Sequence, residues 1–438
     1  MLRQLLFTKI DNAPLLIFRM FFGVLVALEC YGAIMTGWIR RTLVEPEFTF
    51  TFIGFEWLQP LPGWGMYFYF FVMGTLGICI AFGYKYRFSI IAFTVLWTGV
   101  YLMQKSSYNN HYYLLILISL FMCFFPAHRA YSSDAKKLPR LKRNYMFSYV
   151  KWIIVLQLFI VYTFASIAKL YGDWLDFGII EILMLNKADY PLIGPLLQET
   201  WVHKIIGTFG ILFDLLIVPA LLWKPTRKIA FITSIFFHLF NSIVFQIGIF
   251  PYLSLAFTVF FFEPETIRKI FLKKKEAYIS NEVKIPPYKN MAILLGASYF
   301  LIQFILPIRH HFIEDDVLWT EEGHRLSWRM MLRSRSGVTE FTVTDSETGE
   351  TYNIDLDAYV TKKQKRRLQA YPDFIWQFAQ KLKKDYAEKG KNIAVHVKSK
   401  ISINGRPYEQ FIDPEVDLAN TPWSYVRHNE WILPSKLD

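Results

Sequence analysis

Residues 152–174 read WIIVLQLFIVYTFASIAKLYGDW, and this stretch decides the fold. From Trp152 to Ala168 it holds no charged side chain. A helix rises about 1.5 Å per residue and needs roughly 20 apolar residues to cross the hydrocarbon of a bilayer. Phe147 to Leu170 therefore reads as one membrane-spanning helix with Lys169 at its boundary, followed at once by Tyr171, Asp173 and Trp174. An ionisable group at the edge of a span is a candidate functional residue. Taken alone, the same lysine also reads as a side chain reaching out to lipid headgroups.

The rest of the chain has the same character. Hydrophobic residues make up 53% and aromatic residues 18% of 438, more than a soluble protein uses. Apolar segments recur near 15–37, 65–84, 88–104, 112–126, 147–170, 204–223, 228–246, 249–263 and 290–307. The expected fold is a polytopic α-helical membrane protein of about nine transmembrane helices, with the fourth and eighth segments short enough to be tilted, half-spanning or re-entrant. Placing the N-terminus in the cytoplasm puts twenty lysines and arginines on inner segments and five on outer ones, which selects that orientation. It also accounts for much of the net charge of +12: the basic excess meets anionic headgroups, and no motif supports a nucleic-acid partner. The opening MLRQLLFTKIDNAPLLIF lacks a small-x-small cleavage site and reads as a retained first span. Cys30, Cys79 and Cys123 all fall within spans, so no disulfide framework is expected.

From about Pro307 the composition turns charged and mixed, which divides the chain into a transmembrane domain, 1–307, and an extracytoplasmic α+β domain, 308–438. In the latter, Thr339–Thr344 and Thr351–Leu356 flank DSETGE as a hairpin, and Asp373 to Ala387 carries Ile375, Phe378, Leu382 and Tyr386 at helical spacing. Ile393–Val397 and Lys400–Ile403 read as two strands before an Asn404-Gly405 turn.

On the predicted outer side, Asn109, Asn110 and His111 start the fourth span and Lys169 ends the fifth, so one pocket can join them. Asp214 lies within the sixth span, His238 and Asn241 share a face of the seventh at i, i+3, and Arg19 and Glu29 interrupt the first. Each is costly in lipid unless paired, and the plainer reading for Asp214, Arg19 and Glu29 is hydrogen bonding that holds the bundle together. The nine histidines show no ligand spacing, and the adjacent His310 and His311 are expected to point apart, so no metal is expected.

In order along the chain, YNNHYYL (108–114), FIVYTFASIAKLYGDW (159–174), FFHLFNSIVFQIGIFPY (236–252), LSWRMMLRSRS (326–336) and ISINGRPYEQFIDPEVDL (401–418) resemble blocks of the vitamin K-dependent gamma-glutamyl carboxylases. The resemblance covers nearly the full length. It implies carboxylation of glutamate in a protein or peptide to gamma-carboxyglutamate. The co-substrates are reduced vitamin K, here menaquinol, with O2 and CO2, and an alkoxide base forms as the quinol becomes the 2,3-epoxide. Lys169 matches the family's base towards the quinol, a role that requires a neutral amine. His111 matches a second catalytic residue, with Asn110 beside it as an amide donor. Tyr108, Asn109, His238 and Asn241 become quinol-pocket candidates; Arg333, Arg335, His310 and Trp328 become candidates for binding the glutamyl carboxylate or CO2, since guanidinium forks suit planar anions.

The chain also departs from the family. Tyr108 stands where the family has tryptophan, Arg329 where it has aspartate and Arg333 where animal members have histidine. The end at Asp438 reads as a short, bacterial form without the long lumenal region of animal members, with its outer domain periplasmic or extracellular; in a eukaryote that side would be the endoplasmic reticulum lumen. A quinol epoxidase that carboxylates nothing, and a non-enzymatic membrane protein that keeps the fold, are the other two readings. A lysine at the end of a span is not expected to hold the bundle together, so Lys169→Ala is expected to abolish epoxide formation and leave the fold intact.

Overall fold

The computed structural model describes residues 2–280 and 282–436. Among these, seven helices are long and apolar enough to cross a membrane. They are α1 (Ala13–Met35), α2 (Gly65–Phe82), α3 (Tyr86–Met103), α5 (Tyr149–Ile167), α6 (Thr200–Leu222), α7 (Arg227–Val244) and α9 (Lys289–Ile308). The fourth and eighth apolar segments form the shorter α4 (Asn110–Phe124) and α8 (Phe250–Phe257). The chain is a polytopic helical membrane protein.

Glycine sets the closest approach in the bundle. A Cβ on Gly23 of α1 would lie 2.3 Å from the Ala81 nitrogen of α2, and one on Gly77 of α2 would lie 2.8 Å from the Ala27 nitrogen. Lipid tails give helices no hydrophobic reason to associate, so backbone-close packing of this kind supplies the attraction. The opposite case is α9, whose side chains mostly face outward. It meets the bundle through two polar contacts: Gln303 Nε2 donates to Tyr113 Oη at 2.7 Å, and Tyr299 Oη donates to Gln157 Oε1 at 2.5 Å. A groove remains between α9 and α5.

The C-terminal region holds a four-stranded antiparallel sheet in the order β4 (Thr351–Asn353), β3 (Arg335–Asp345), β5 (Ile393–Ile403), β6 (Glu409–Ile412); β1 (Lys9–Asp11) and β2 (Tyr145–Phe147) pair separately near the other ends of the helices. Two strands are expected from the sequence between Ile393 and Ile403, but the segment is a single strand, because β3 pairs along its whole length from Arg335↔Ile403 to Asp345↔Ile393. Between Ser399 and Lys400 the strand shifts register against β6. Asn404 and Gly405 both take positive φ, 51° and 79°, and make the turn. After a short helix, α10 (Lys362–Leu368), α11 (Pro372–Ala387) packs on the sheet through Phe374, Phe378 and Leu382.

The sheet region is not a tethered appendage. Phe50, from the loop after α1, lies in its core with the ring centroid 4.7 Å from that of Phe374, and Gln377 Nε2 donates to the Thr51 carbonyl at 3.1 Å. The loop after α9 returns the contact by inserting Trp328, 1% exposed, into the helix bundle against Tyr113.

Candidate active site

Three faces of the bundle carry the polar chemistry. The first is a buried stripe. Tyr162 and Ser166 of α5, with Lys169 in the turn that directly follows the helix, recur at i, i+4 and i+7 and line up on the side turned to α6 and α7. Lys169 Nζ lies 2.5 Å from Asp214 Oδ2 of α6 and 3.0 Å from the Ala165 carbonyl, above the Trp174 ring. Both side chains of the pair are 8% exposed. Ser166 Oγ donates to the Ile211 carbonyl, and Tyr162 Oη lies 3.2 Å from His238 Nε2. Phe250 then links two imidazoles: it stacks on His111 at 3.9 Å and meets His238 edge-on at 6.1 Å. The Nδ1 atoms of His111 and His238 are buried without a partner.

The second is a cavity of about 270 Å³ where the start of α4 meets the loop 321–333 and the region from α10 to α11. His111 lines it, together with Lys105, Arg325, Arg329, Arg333 and Arg367. Two carboxylates answer these five cations. Glu321 binds Arg333 through both guanidinium nitrogens Nε and Nη2. Asp373 serves Lys105 and, at 2.8 and 3.2 Å, Arg325. One buried carboxylate shared by two cations has a two-sided effect. Burial raises Asp373, but Arg325 and then Lys105 overcome this and hold it at about 2. Lys105, incompletely compensated, is pulled by burial down to about 8. Arg329 forms no ion pair among the described residues: its Nη1 lies 3.3 Å from His310 Nε2 and its Nε is buried with no hydrogen-bond partner among them. Burial, then the repulsion of Arg333, brings Arg329 down to about 10, so it stays charged at neutral pH.

The third is the groove between α5 and α9, about 990 Å³, walled by Leu156, Phe159, Phe164, Phe300 and Phe304 and ending at His310, Ser327 and Arg329. Arg329 lines both the groove and the cation-rich cavity.

The candidates read from the sequence are distributed unevenly over these three places. His111, Tyr108, Asn109 and Asn110 come together at the cavity. Asn109 caps α4 by accepting from the Tyr112 N–H, and Asn110 is spanned: Tyr108 Oη donates to its Oδ1 and its Nδ2 donates to the Arg329 carbonyl, 2.8 Å away. Lys169 does not line that cavity, and it does not line the groove, although Ala168 and Leu170 do. Asn241 is buried and donates back to the Phe237 carbonyl. Arg333 reaches the cavity already paired, whereas Arg335 is turned into protein, its Nε on the Ala370 carbonyl and its Nη1 on those of Leu318 and Trp319. Trp328 is packing between the two regions and lines neither space.

Some expectations need correcting. His310 and His311 do not point apart: a tight 3₁₀ turn after α9 brings their rings to 4.0 Å. Asp214 is the immediate partner of Lys169 as well as a bundle contact, and the lysine is neither exposed nor outside the packing. The sequence did not mark Arg329, Arg325, Lys105 or Asp373 as site residues. The available signal was that both Lys105 and Asn109–His111 belong to one short connection, so the lysine had to lie beside the site.

A family model described as HTTM domain matches residues 7–265, and one described as vitamin K-dependent gamma-carboxylase, lumenal domain matches residues 288–438. No solved structure matches the chain. The helical match holds Lys169, Asp214 and His111, the lumenal match holds the arginine-rich loop, and the two regions meet at the Asn110–Arg329 contact. The chain belongs to the vitamin K-dependent gamma-carboxylase family.

Proposed function

We propose that this protein carboxylates glutamyl side chains of a protein or peptide, coupled to oxygenation of a reduced naphthoquinone to its epoxide, from an outer face that is periplasmic or extracellular with the N-terminus in the cytoplasm. The observation that carries the reading is the convergence on Arg329 of an apolar groove and a cavity with surplus positive charge. A lipid-soluble ring and a carboxylate can thereby be held on either side of one guanidinium.

Reduced vitamin K suits the groove: the apolar walls match a hydrophobic tail, and Ser327, His310 and Arg329 offer polar groups to a ring hydroxyl. When bound with O2, it supplies the strong base that removal of a glutamyl γ-proton requires. This chain's residues do the rest. Lys169 accepts a proton while Asp214 stabilises the resulting ammonium at 2.5 Å, and the amine reaches a substrate only by loosening that contact. His111, whose Nδ1 is buried without a partner among the described residues, holds a proton at the wall of the cavity. Arg329 and Arg333 orient the substrate carboxylate and CO2. The inserted loop, with Trp328 as its plug, keeps out water that would quench a strong base.

The test uses purified protein in nanodiscs with reduced vitamin K or menaquinol, dioxygen, labelled bicarbonate and a short glutamate-containing peptide, following epoxide and fixed carbon together. Coupled formation of both is the expected result. Epoxide without fixed carbon across several peptides would replace the proposal with a quinol epoxidase, and neither product would refute an enzymatic role.

A further inference from the structure

A cavity of about 1140 Å³ in the membrane domain has no part in this chemistry. It lies at the ends of α1 and α2 remote from the sheet. Its apolar wall is formed by Val24, Leu28 and Tyr31 of α1 with Ile78 and Phe82 of α2. Leu28 is 62% and Phe82 67% exposed, so this wall faces the lipid. From Met20 to Tyr31 it follows α1 for about 16 Å, at 1.5 Å per residue. The pair closes backbone to backbone at Gly23 and Gly77, so a chain can lie along the two helices but cannot pass between them.

Charge collects at one end only. Lys136, Lys142 and Lys274 line it beside Ser132 and Ser133, and none of the three lysines forms an ion pair among the described residues. Lys275 is neutralised by Asp11, whose carboxylate oxygens lie 2.8 and 2.9 Å from its Nζ. That leaves Glu276 as the carboxylate facing the three free cations. A zwitterionic headgroup brings its own cation to such a place, while an anionic phosphodiester does not. Basic pockets between helices near a membrane surface bind anionic headgroups for this reason.

We infer that this groove is a binding site for an anionic phospholipid, with acyl chain along Val24, Leu28, Ile78 and Phe82 and phosphate at Lys136, Lys142 and Lys274. None of these residues belongs to the proposed active site, so the groove stands or falls independently of it.

The test is native mass spectrometry of the full-length protein, delipidated in neutral detergent and titrated with dioleoylphosphatidylglycerol or dioleoylphosphatidylcholine, alongside thermal unfolding with each lipid. Phosphatidylglycerol should be retained at least about thirtyfold more strongly, the factor that two lysines at a headgroup supply. The variant Lys136→Gln/Lys142→Gln/Lys274→Gln should remove the preference. Val24→Trp keeps the lysines, fills the apolar channel and should weaken retention of the lipid. Equal retention of the two lipids, a preference that survives in the triple variant, or a thermal shift reproduced by inorganic phosphate alone would each overturn the assignment.

Discussion

Replacing Lys169 by methionine should cost stability as well as activity. Lys169 Nζ lies 2.5 Å from Asp214 Oδ2, and both side chains are 8% exposed within the bundle. Removing it strands a buried carboxylate that has no second ion-pair partner among the described residues, and loss of one partner from a buried pair costs about 3–5 kcal/mol. Against a total stability of about 5–15 kcal/mol that is a large fraction. Asp214→Leu alone strands the lysine and should cost a similar amount. Lys169→Met/Asp214→Leu removes both charges and keeps the volume filled, so it should be more stable than either single variant, a non-additivity of several kcal/mol on the scale of about 3–5 per stranded charge. The assay is thermal unfolding of all four proteins in one detergent, with epoxide formation measured on each. Variants lacking Lys169 should make no epoxide whether or not stability is recovered. If Lys169→Met unfolds at the wild-type temperature, the pair does not hold the helices as argued; if the stable double variant still turns over quinol, the lysine has no place in the chemistry.

Four further outcomes are expected. Asp373 is held at about 2 against an ordinary 3.8. A depressed carboxyl contributes stability that is complete above its ordinary value and is lost as pH falls through the folded one, so about 2 kcal/mol should disappear between roughly pH 4 and pH 2. An acid series of unfolding temperatures should show that fall in the wild type and not in Asp373→Asn. Arg329→Met should raise the KM for a glutamate peptide by about tenfold or more, the loss of one charge-assisted contact of about 1.5–3 kcal/mol, with peptide-independent epoxide formation less affected; equal loss of both would make it structural. His111→Ala should lower epoxide formation by about 100-fold, within the range for one acid–base group, while binding of reduced vitamin K persists in a quinol-retention assay. Gly77→Val should lower the unfolding temperature, because its Cβ would meet the α1 backbone 2.8 Å away; an unchanged temperature would show that α1 and α2 can separate freely.

The membrane helices were legible because apolar run length is a one-dimensional property, and the two segments too short to span comfortably are the two short helices α4 and α8. Lys169 stood out for the same reason, as the charge that ends such a run. Its partner did not. An aspartate on another helix is costly anywhere in lipid, and only the rotation of α6 against α5 decides whether it meets Lys169 or some other group. The arginines of the lumenal loop were visible as a cluster, yet their division of labour was not. Arg333 is neutralised by Glu321, twelve residues earlier, Arg335 turns into backbone carbonyls, and Arg329 is left without a carboxylate at the cavity wall. Which of three neighbouring arginines is free depends on a loop with irregular backbone, and sequence periodicity carries no information there.

That irregularity bears on how the site excludes water. Glu321, Leu326, Trp328 and Met331 all take φ between 58° and 61°, and none is glycine. Each left-handed residue costs about 1–2 kcal/mol, so a loop free to relax would abandon the conformation. Three contacts oppose relaxation: Trp328 is buried in the helix core, the Arg329 carbonyl is held by Asn110, and the Leu326 N–H is held by Tyr108. Tyr108 and Asn110 flank His111 by three residues or fewer along the chain, so the same short segment that presents the imidazole also clamps the loop that carries the cations. Any motion that opens the cavity to a peptide must break these bonds or carry the start of α4 with it. Access to the cavity and the position of His111 are therefore mechanically coupled, and under the proposed carboxylation a base too strong to coexist with water would be confined to moments when the loop is seated.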